Sequence, residues 1–248
     1  MAPSGLFKNV DYVGMGGIAR VYKFSPEVVV EVAQREEYQK EQIGFELSTY
    51  KRLMPHKTCL FIFHYIHYTD HAIFLPYMRG DSLESAAQQA SKNMIANLEP
   101  LRLRLTWMHD LAQGAAFLES LNLSQGDLRP ANIRLDHHDR LHITDFDYAA
   151  DFGTPYISCL EPYGRVLGKM DPYFGKTEWV AGMLGPRTEQ FALGSIFYYF
   201  NYGMDPYGDQ YLTSNPKVRH YRPRDLFQLM EFPVLNRDPD LDDITHKC

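Results

Sequence analysis

Apolar positions along this chain follow two rhythms. Between Leu101 and Leu121 they recur at helical spacing (Leu103, Trp107, Leu111, Ala115, Leu118), which predicts a long helix with one buried stripe. A second helix is predicted over roughly Glu36 to Leu53, carrying Glu46 ahead of Tyr50 and Leu53. Shorter runs read as strands. Val28-Val29-Val30 leads into Glu31, and the alternation of a strand puts Val29 and Glu31 on one face. Ile133–Leu135 and Leu141–Ile143 read as a hairpin, turned by His137-His138-Asp139. Upstream, Gly14, Gly16 and Gly17 break a β-type pattern that Val21 resumes. Downstream lies the apolar run Ile196-Phe197-Tyr198-Tyr199-Phe200, preceded by Thr188, a residue type suited to a helix N-cap.

The chain has 248 residues, 45% of them hydrophobic, enough for a large core in one two-lobed domain or two small ones. A formal charge of −6 argues against a general nucleic-acid binder. Cys59, Cys159 and Cys248 are widely spaced, without metal-ligand spacing, and suit a reducing compartment. There is no apolar run of about 18 residues, so no membrane partner is expected. An intracellular, cytoplasmic protein is the expectation.

The chemistry concentrates in QGDLRPANIRLDHHDRLHITDFDYA. Asp127 stands five residues before Asn132, and Asp145 thirteen residues after that. With the hairpin between them, all three side chains can converge at one end. Phosphoryl transfer to a hydroxyl needs such a set: a carboxylate for the acceptor, and oxygen ligands holding magnesium on the phosphates.

At these residues the chain resembles the protein-kinase superfamily. Asp127 matches the aspartate of H-R-D-x-x-x-x-N, Asn132 its asparagine, and Asp145-Phe146-Asp147 the D-F-G triplet. A literal D-F-G at Asp151-Phe152-Gly153 is a decoy, because the family gap of eighteen residues from the first aspartate leads to Asp145. The segment YVGMGGIARVYKF is similar to the glycine-rich loop G-x-G-x-x-G-x-V, with Ala19 at the third glycine. HAIFLPYM is similar to the strand that enters the hinge: Leu75 takes the gatekeeper position, and the Met78 amide would meet adenine because Pro76 has no N–H. T-E-Q-F-A-L-G-S resembles the start of the family's buried helix F, with Glu189 as the acid that anchors the catalytic loop. The wording as a whole is most similar to kinase-like proteins of filamentous fungi.

The resemblance implies an α+β fold of two lobes. A small antiparallel sheet with the family's helix C would form an N-lobe over 1–78. A mainly helical C-lobe would follow over 79–248, ending short of the family's last helix. It implies ATP and Mg2+ as cofactors and a protein as substrate or partner. Asp127 would be the base, with Arg129 meeting the γ-phosphate. Asn132 and Asp145 would be the metal ligands. Gly14, Gly16, Gly17, Val21, Val29, Glu46 and Met78 would form the nucleotide site.

Three departures weigh on activity. Gln125-Gly126 replace His-Arg, leaving no arginine to read a phosphorylated activation segment. Activity is therefore expected to survive phosphatase treatment, and its abolition by phosphatase would refute this. Asp147 replaces the D-F-G glycine and reads as a turn residue, with an acid supporting the site as the alternative. The largest departure is Glu31, which stands where the family has the lysine of V-A-I-K, the partner of the Glu46 position. A unit charge about 4 Å from another is worth about 4 kcal/mol at an effective dielectric of about 20, and Lys to Glu reverses its sign toward phosphate. Lys23, Arg20 or a cation bridging Glu31 and Glu46 are candidate substitutes. Three functions follow: a weak Ser/Thr protein kinase, a pseudokinase acting as a binding module, or a small-molecule kinase of the aminoglycoside-phosphotransferase type.

Overall fold

The computed structural model describes residues 10–34, 37–56, 59–78, 99–155, 162–164, 182–210, 212 and 222–248. Cys159 and most of the expected activation segment lie outside these residues, as does the expected lobe boundary at residue 79.

The first part is a five-stranded antiparallel sheet with one helix. Its strands are β1 (Asp11–Met15), β2 (Ala19–Ser25), β3 (Val28–Ala33), β4 (His67–Thr69) and β5 (Ala72–Pro76), in the order β1-β2-β3-β5-β4. Strand alternation sorts the side chains of β3 between two faces. Val30 and Val32 pack with Ala72, Tyr22 and Phe74 on the outer face. Val29 joins Ala19, Ile73 and Leu75 in the main core on the inner face, and Glu31 shares that face by parity. Helix α1 (Glu37–Leu53) buries Ile43, Glu46, Leu47, Tyr50 and Leu53, the spacing that puts side chains on one helical face. The sequence reading began it at roughly Glu36, a residue outside the described set.

The second part is mainly helical. Helix α2 (Leu101–Ser120) buries Trp107, Met108, Asp110, Leu111, Gly114 and Leu118. Gly114 is small for a reason, since a Cβ there would stand 2.8 Å from Ile143 Cδ1. The residues pressing on α2 belong to the hairpin β7 (Ile133–Leu135) and β8 (Leu141–Ile143), which are antiparallel as the apolar pattern predicts. Asp136 braces the hairpin turn: its Oδ1 accepts from the His138 and Arg140 amides at 2.8 and 2.9 Å. Asp110, fully buried on α2, pairs with Arg140 through Nε and Nη2 at 2.7 and 2.5 Å. Strands β6 (Leu123–Ser124) and β9 (Ala150–Asp151) pair just ahead of and just behind this hairpin.

Helix α3 (Pro186–Tyr202) is buried continuously from Ala192 to Tyr198 and ends on Gly203, whose φ of 73° is the left-handed cap that glycine accepts without a Cβ penalty. The sequence reading made Thr188 its N-cap. Instead Pro186, preorganised for a first turn, starts the helix, Gly185 is the cap residue, and Thr188 sits at the third position. Its Oγ1 accepts from the Gly185 amide at 3.1 Å and donates to the Gly185 carbonyl at 2.8 Å. Helices α4 (Arg222–Gln228) and α5 (Pro239–Lys247) complete this part. Asp242 of α5 accepts from Asn201 Nδ2 at 2.8 Å and Tyr202 OH at 2.9 Å, fixing α5 to α3. The architecture is the two-lobed α+β fold expected from the sequence. Among the described residues no helix is long and apolar enough to cross a membrane.

Candidate active site

Residues between β6 and β7 form a loop held from three sides. Buried Asp127 receives Arg129 Nε at 2.9 Å and Asn132 Nδ2 at 3.0 Å, both on Oδ2. The same Asn132 Nδ2 also reaches the Asp127 carbonyl at 2.9 Å. Beneath them Gln125, fully buried, works with both ends of its amide. Its Oε1 accepts from the Asp127 N–H at 2.7 Å, and its Nε2 donates to the carbonyls of Asp145 at 2.6 Å and Thr144 at 3.2 Å. Thr144 in turn donates its amide to the Asn132 carbonyl at 2.9 Å. The backbones of Asp127, Asn132 and Asp145 are thereby one hydrogen-bonded unit, while the Asp145 side chain stays exposed at φ 58°.

Glu189 on α3 anchors the unit from below, accepting from the amides of Gln125 at 3.0 Å and Gly126 at 3.4 Å. Burial pushes its carboxyl up to about 7, with the two amides opposing that rise. Gly126 itself has φ +82°, and a Cβ there would lie 2.2 Å from the Tyr148 carbonyl oxygen. Asp147 lies in a turn, as the sequence suggested, and its carboxyl is raised to about 8 by burial, by the Asp145 charge and by a side-chain hydrogen bond to Asp145.

Across the cleft, Glu31 and Glu46 face each other where an acid and a base were the family expectation. Glu46 on α1 is buried, and its carboxyl is pushed well above the usual range by desolvation and then by Glu31. Glu31 is raised to about 7 by desolvation and by Asp145, and Arg134 on β7 pulls it down. The fully buried Tyr50 lies behind the pair. The proposed substitutes fare differently. Lys23 faces the cleft side of the sheet, opposite Val29, but its Nζ sits 4.6 Å above the Tyr77 ring at the hinge. Arg20 pairs with Val32, which places it on the outer face with Tyr22 and away from the cleft. Among the described residues no three His, Cys, Asp or Glu side chains form a group that could hold a metal ion.

The glycine-rich segment spans the turn from β1 to β2. Gly14 pairs with Val21 across a bulge, and the Gly16 amide donates to the Ala19 carbonyl at 2.9 Å. A Cβ at Gly14 or Gly17 would meet nothing within 4 Å, so the packing of the fold does not demand glycine at either position. Val21 lies opposite Glu31 on the cleft face, with Val29 on the same side. Leu75 is buried, and Met78 packs against the main core. The literal D-F-G lies outside this constellation: Asp151 is in β9, ion-paired to Arg52 of α1 at 2.5 Å. Sequence reasoning recognised Gln125 and Gly126 only as missing residues. A signal existed, since glycine beside an amide at a tight loop marks both a left-handed φ and a two-ended hydrogen-bonding group.

This geometry meets an independent match. Residues 7–245 match the protein kinase domain family. The chain belongs to it. Among curated relatives, this kinase domain is 29% identical over 161 residues to receptor-interacting serine/threonine-protein kinase 4 of Mus musculus, covering 59% of this chain and 19% of that protein. Human receptor-interacting serine/threonine-protein kinase 4 is also 29% identical, over 162 residues. Serine/threonine-protein kinase STE20 of Kluyveromyces lactis is 23% identical over 214 residues, covering 83% of this chain and 20% of that protein. The kinase domain therefore spans about a fifth of the length of the curated relatives it matches.

Proposed function

We propose that this kinase domain binds ATP with Mg2+ and transfers the γ-phosphoryl group to Ser or Thr hydroxyls of a protein, at a rate held low by Glu31. The observation that carries this reading is the Asp127 carboxylate, gripped by Arg129 and Asn132 while Gln125 ties its backbone to that of Asp145. Held in this way, Asp127 can orient an acceptor hydroxyl and take its proton as the phosphoryl group leaves ATP. Arg129 supplies a planar cation beside it for charge on the transferring group.

The oxygen donors suit magnesium. The Asn132 amide spends its N–H bonds on Asp127, which leaves Oδ1 as its acceptor for a cation, and the Asp145 carboxylate is exposed. Mg2+ bound there would draw charge from the phosphates. Gly14, Gly16, Gly17, Val21, Val29 and Met78 are the proposed walls for the nucleotide, with Glu46 behind them. The serine/threonine kinases among the relatives favour a protein hydroxyl as acceptor.

Calorimetry with ATP tests the site. Wild type is expected to bind only when Mg2+ is present, and Asp145→Ala should weaken that binding at least about tenfold, the loss of a charge-assisted contact. A radiolabel transfer assay on protein acceptors, run beside alcohol-bearing small molecules, then separates the acceptor classes. If wild type fails to bind at millimolar ATP, the second reading stands instead. The facing acids Glu31 and Glu46 favour that reading, a pseudokinase used as a binding module.

A further inference from the structure

Asp151-Phe152-Gly153 has the wording of a metal motif and lies outside the catalytic constellation. In β9, Asp151 pairs with Leu123 of β6, and Ala150 pairs with Ser124. Ser124 leads directly into Gln125 and the loop of Asp127. The last turn of α1 carries two cations, Lys51 and Arg52, and they diverge. Lys51 Nζ lies 4.2 Å over the ring of Tyr68, in β4 of the sheet. Arg52 turns to the other lobe. Its Nη1 donates to Asp151 Oδ1 at 2.5 Å, and its Nη2 donates to the Leu121 carbonyl. Leu121 is the C-cap of α2, where a helix leaves carbonyls unpaired at the negative end of its dipole.

One planar guanidinium therefore joins α1 to the end of α2 and to β9, partners 69 and 99 residues away along the chain. A second contact lies two residues earlier on α1, where fully buried Tyr50 meets the Phe146 ring edge-on at 5.3 Å. The stretch from Phe146 to Asp151 is thus held to α1 at both ends, directly after Asp145.

We propose that Arg52 is a positioning residue for the phosphoryl-transfer site: by clamping β9 and the end of α2 to α1, it sets where the Asp145 carboxylate stands relative to Asp127. This role rests on the ATP and Mg2+ reading above and extends the site to a residue outside the cleft. With Phe146 against Tyr50 and Asp151 on Arg52, the turn that follows Asp145 does not swing independently of α1. From the other side Gln125 ties the Asp145 carbonyl to the Asp127 amide. The planar fork matters because it serves two acceptors in fixed directions, which an ammonium does not. Both members of the ion pair are partly in water, with side chains 40% and 61% exposed, so the effect is modest in size.

The test is calorimetry with ATP in Mg2+, and with adenosine, on wild type, Arg52→Gln, Asp151→Asn and the double variant. Hydrogen exchange of the amides from 145 to 152 is read on the same proteins. Arg52→Gln is expected to bind ATP in Mg2+ about three- to fivefold more weakly. Adenosine should stay within about 1.5-fold of wild type, because only the metal-dependent contact relies on Asp145. Asp151→Asn should lose about twofold, and the double variant no more than Arg52→Gln alone, since both act through one contact. Exchange from 145 to 152 should rise about three- to fivefold in Arg52→Gln. The exposed Asp151→Asn carries the test if Arg52→Gln melts below the assay temperature.

An equal loss for adenosine would overturn the proposal, because the cleft as a whole would have loosened. Additive losses in the double variant would overturn it too, showing Arg52 and Asp151 to act separately. Exchange from 145 to 152 at the wild-type level would do the same. Arg52→Gln at wild-type ATP affinity, with wild type and Asp145→Ala behaving as above, removes this role alone and leaves the clamp a surface contact. Wild type without any ATP binding in Mg2+ removes the underlying reading and this role together.

Discussion

Gly126→Ala is expected to destabilise the kinase domain by about 3–5 kcal/mol and to lower its melting temperature by roughly 10 °C. The residue sits at φ +82°, where a Cβ is strained even in open space. Here the space is closed by the Tyr148 carbonyl oxygen, 2.2 Å from the Cβ position. Backbone cannot rotate away as a side chain does, so the loop or the segment after Asp145 must shift. Either shift pulls the Gly126 amide from Glu189 and disturbs the neighbouring Gln125 contacts that join Asp127 to Asp145. Differential scanning calorimetry reads the effect. A melting temperature within about 2 °C of wild type would show that the loop has slack that this geometry denies.

Glu31→Lys is expected to raise ATP affinity by about ten- to a hundredfold. The change exchanges repulsion of the phosphates for attraction, each worth up to about 4 kcal/mol at an effective dielectric of about 20, and solvent and the cost of burial reduce the sum. It also sets an ammonium beside Glu46, whose carboxyl is pushed well above the usual range by burial and by Glu31. The same acids give wild type a characteristic pH response. Glu31 and Glu189 are raised to about 7 in the folded protein and Asp147 to about 8. A carboxyl with a folded pKa above its unfolded value contributes stability that is complete below the unfolded value and lost as pH rises through the folded one.

Wild type should therefore lose stability between about pH 5 and pH 8, on the order of 1–3 kcal/mol from Glu31, and Glu31→Gln should flatten that slope. ATP affinity should fall over the same interval as Glu31 gains its charge. Thermal melts and calorimetry across this range decide both points. A wild-type profile that is level, or that climbs toward pH 8, would mean that Glu31 is solvated and ionised throughout. An unchanged ATP affinity in Glu31→Lys would place the phosphates away from β3.

Much of the frame was legible in the chain because it rests on local rules. Helical spacing from Leu103 to Leu118 and the two apolar triplets around the His137 turn predicted α2 and the β7–β8 hairpin, which the structure contains. Alternation along Val28–Glu31 correctly turned Glu31 to the face of Val29. The order of Asp127, Asn132 and Asp145 pointed to the family that the domain match shows. The start of α3 was misjudged by three residues, because Pro186 and Gly185 compete with Thr188 for the role of starting it, and local propensity does not rank them.

Other features depended on packing between distant segments, which no local pattern encodes. Lys23 and Arg20 are similar cations in one strand, yet one binds the Tyr77 ring and the other faces outward. Gln125 looked like a lost histidine until the fold put Thr144 and Asp145 within reach of its amide. By itself the sequence determined the family, the element pattern and the residue types at the site, because these follow from short-range periodicity and spacing. The tertiary structure alone decided which charges meet, because Coulomb interaction and desolvation depend on distances between segments more than a hundred residues apart, and those distances exist only once the core has formed.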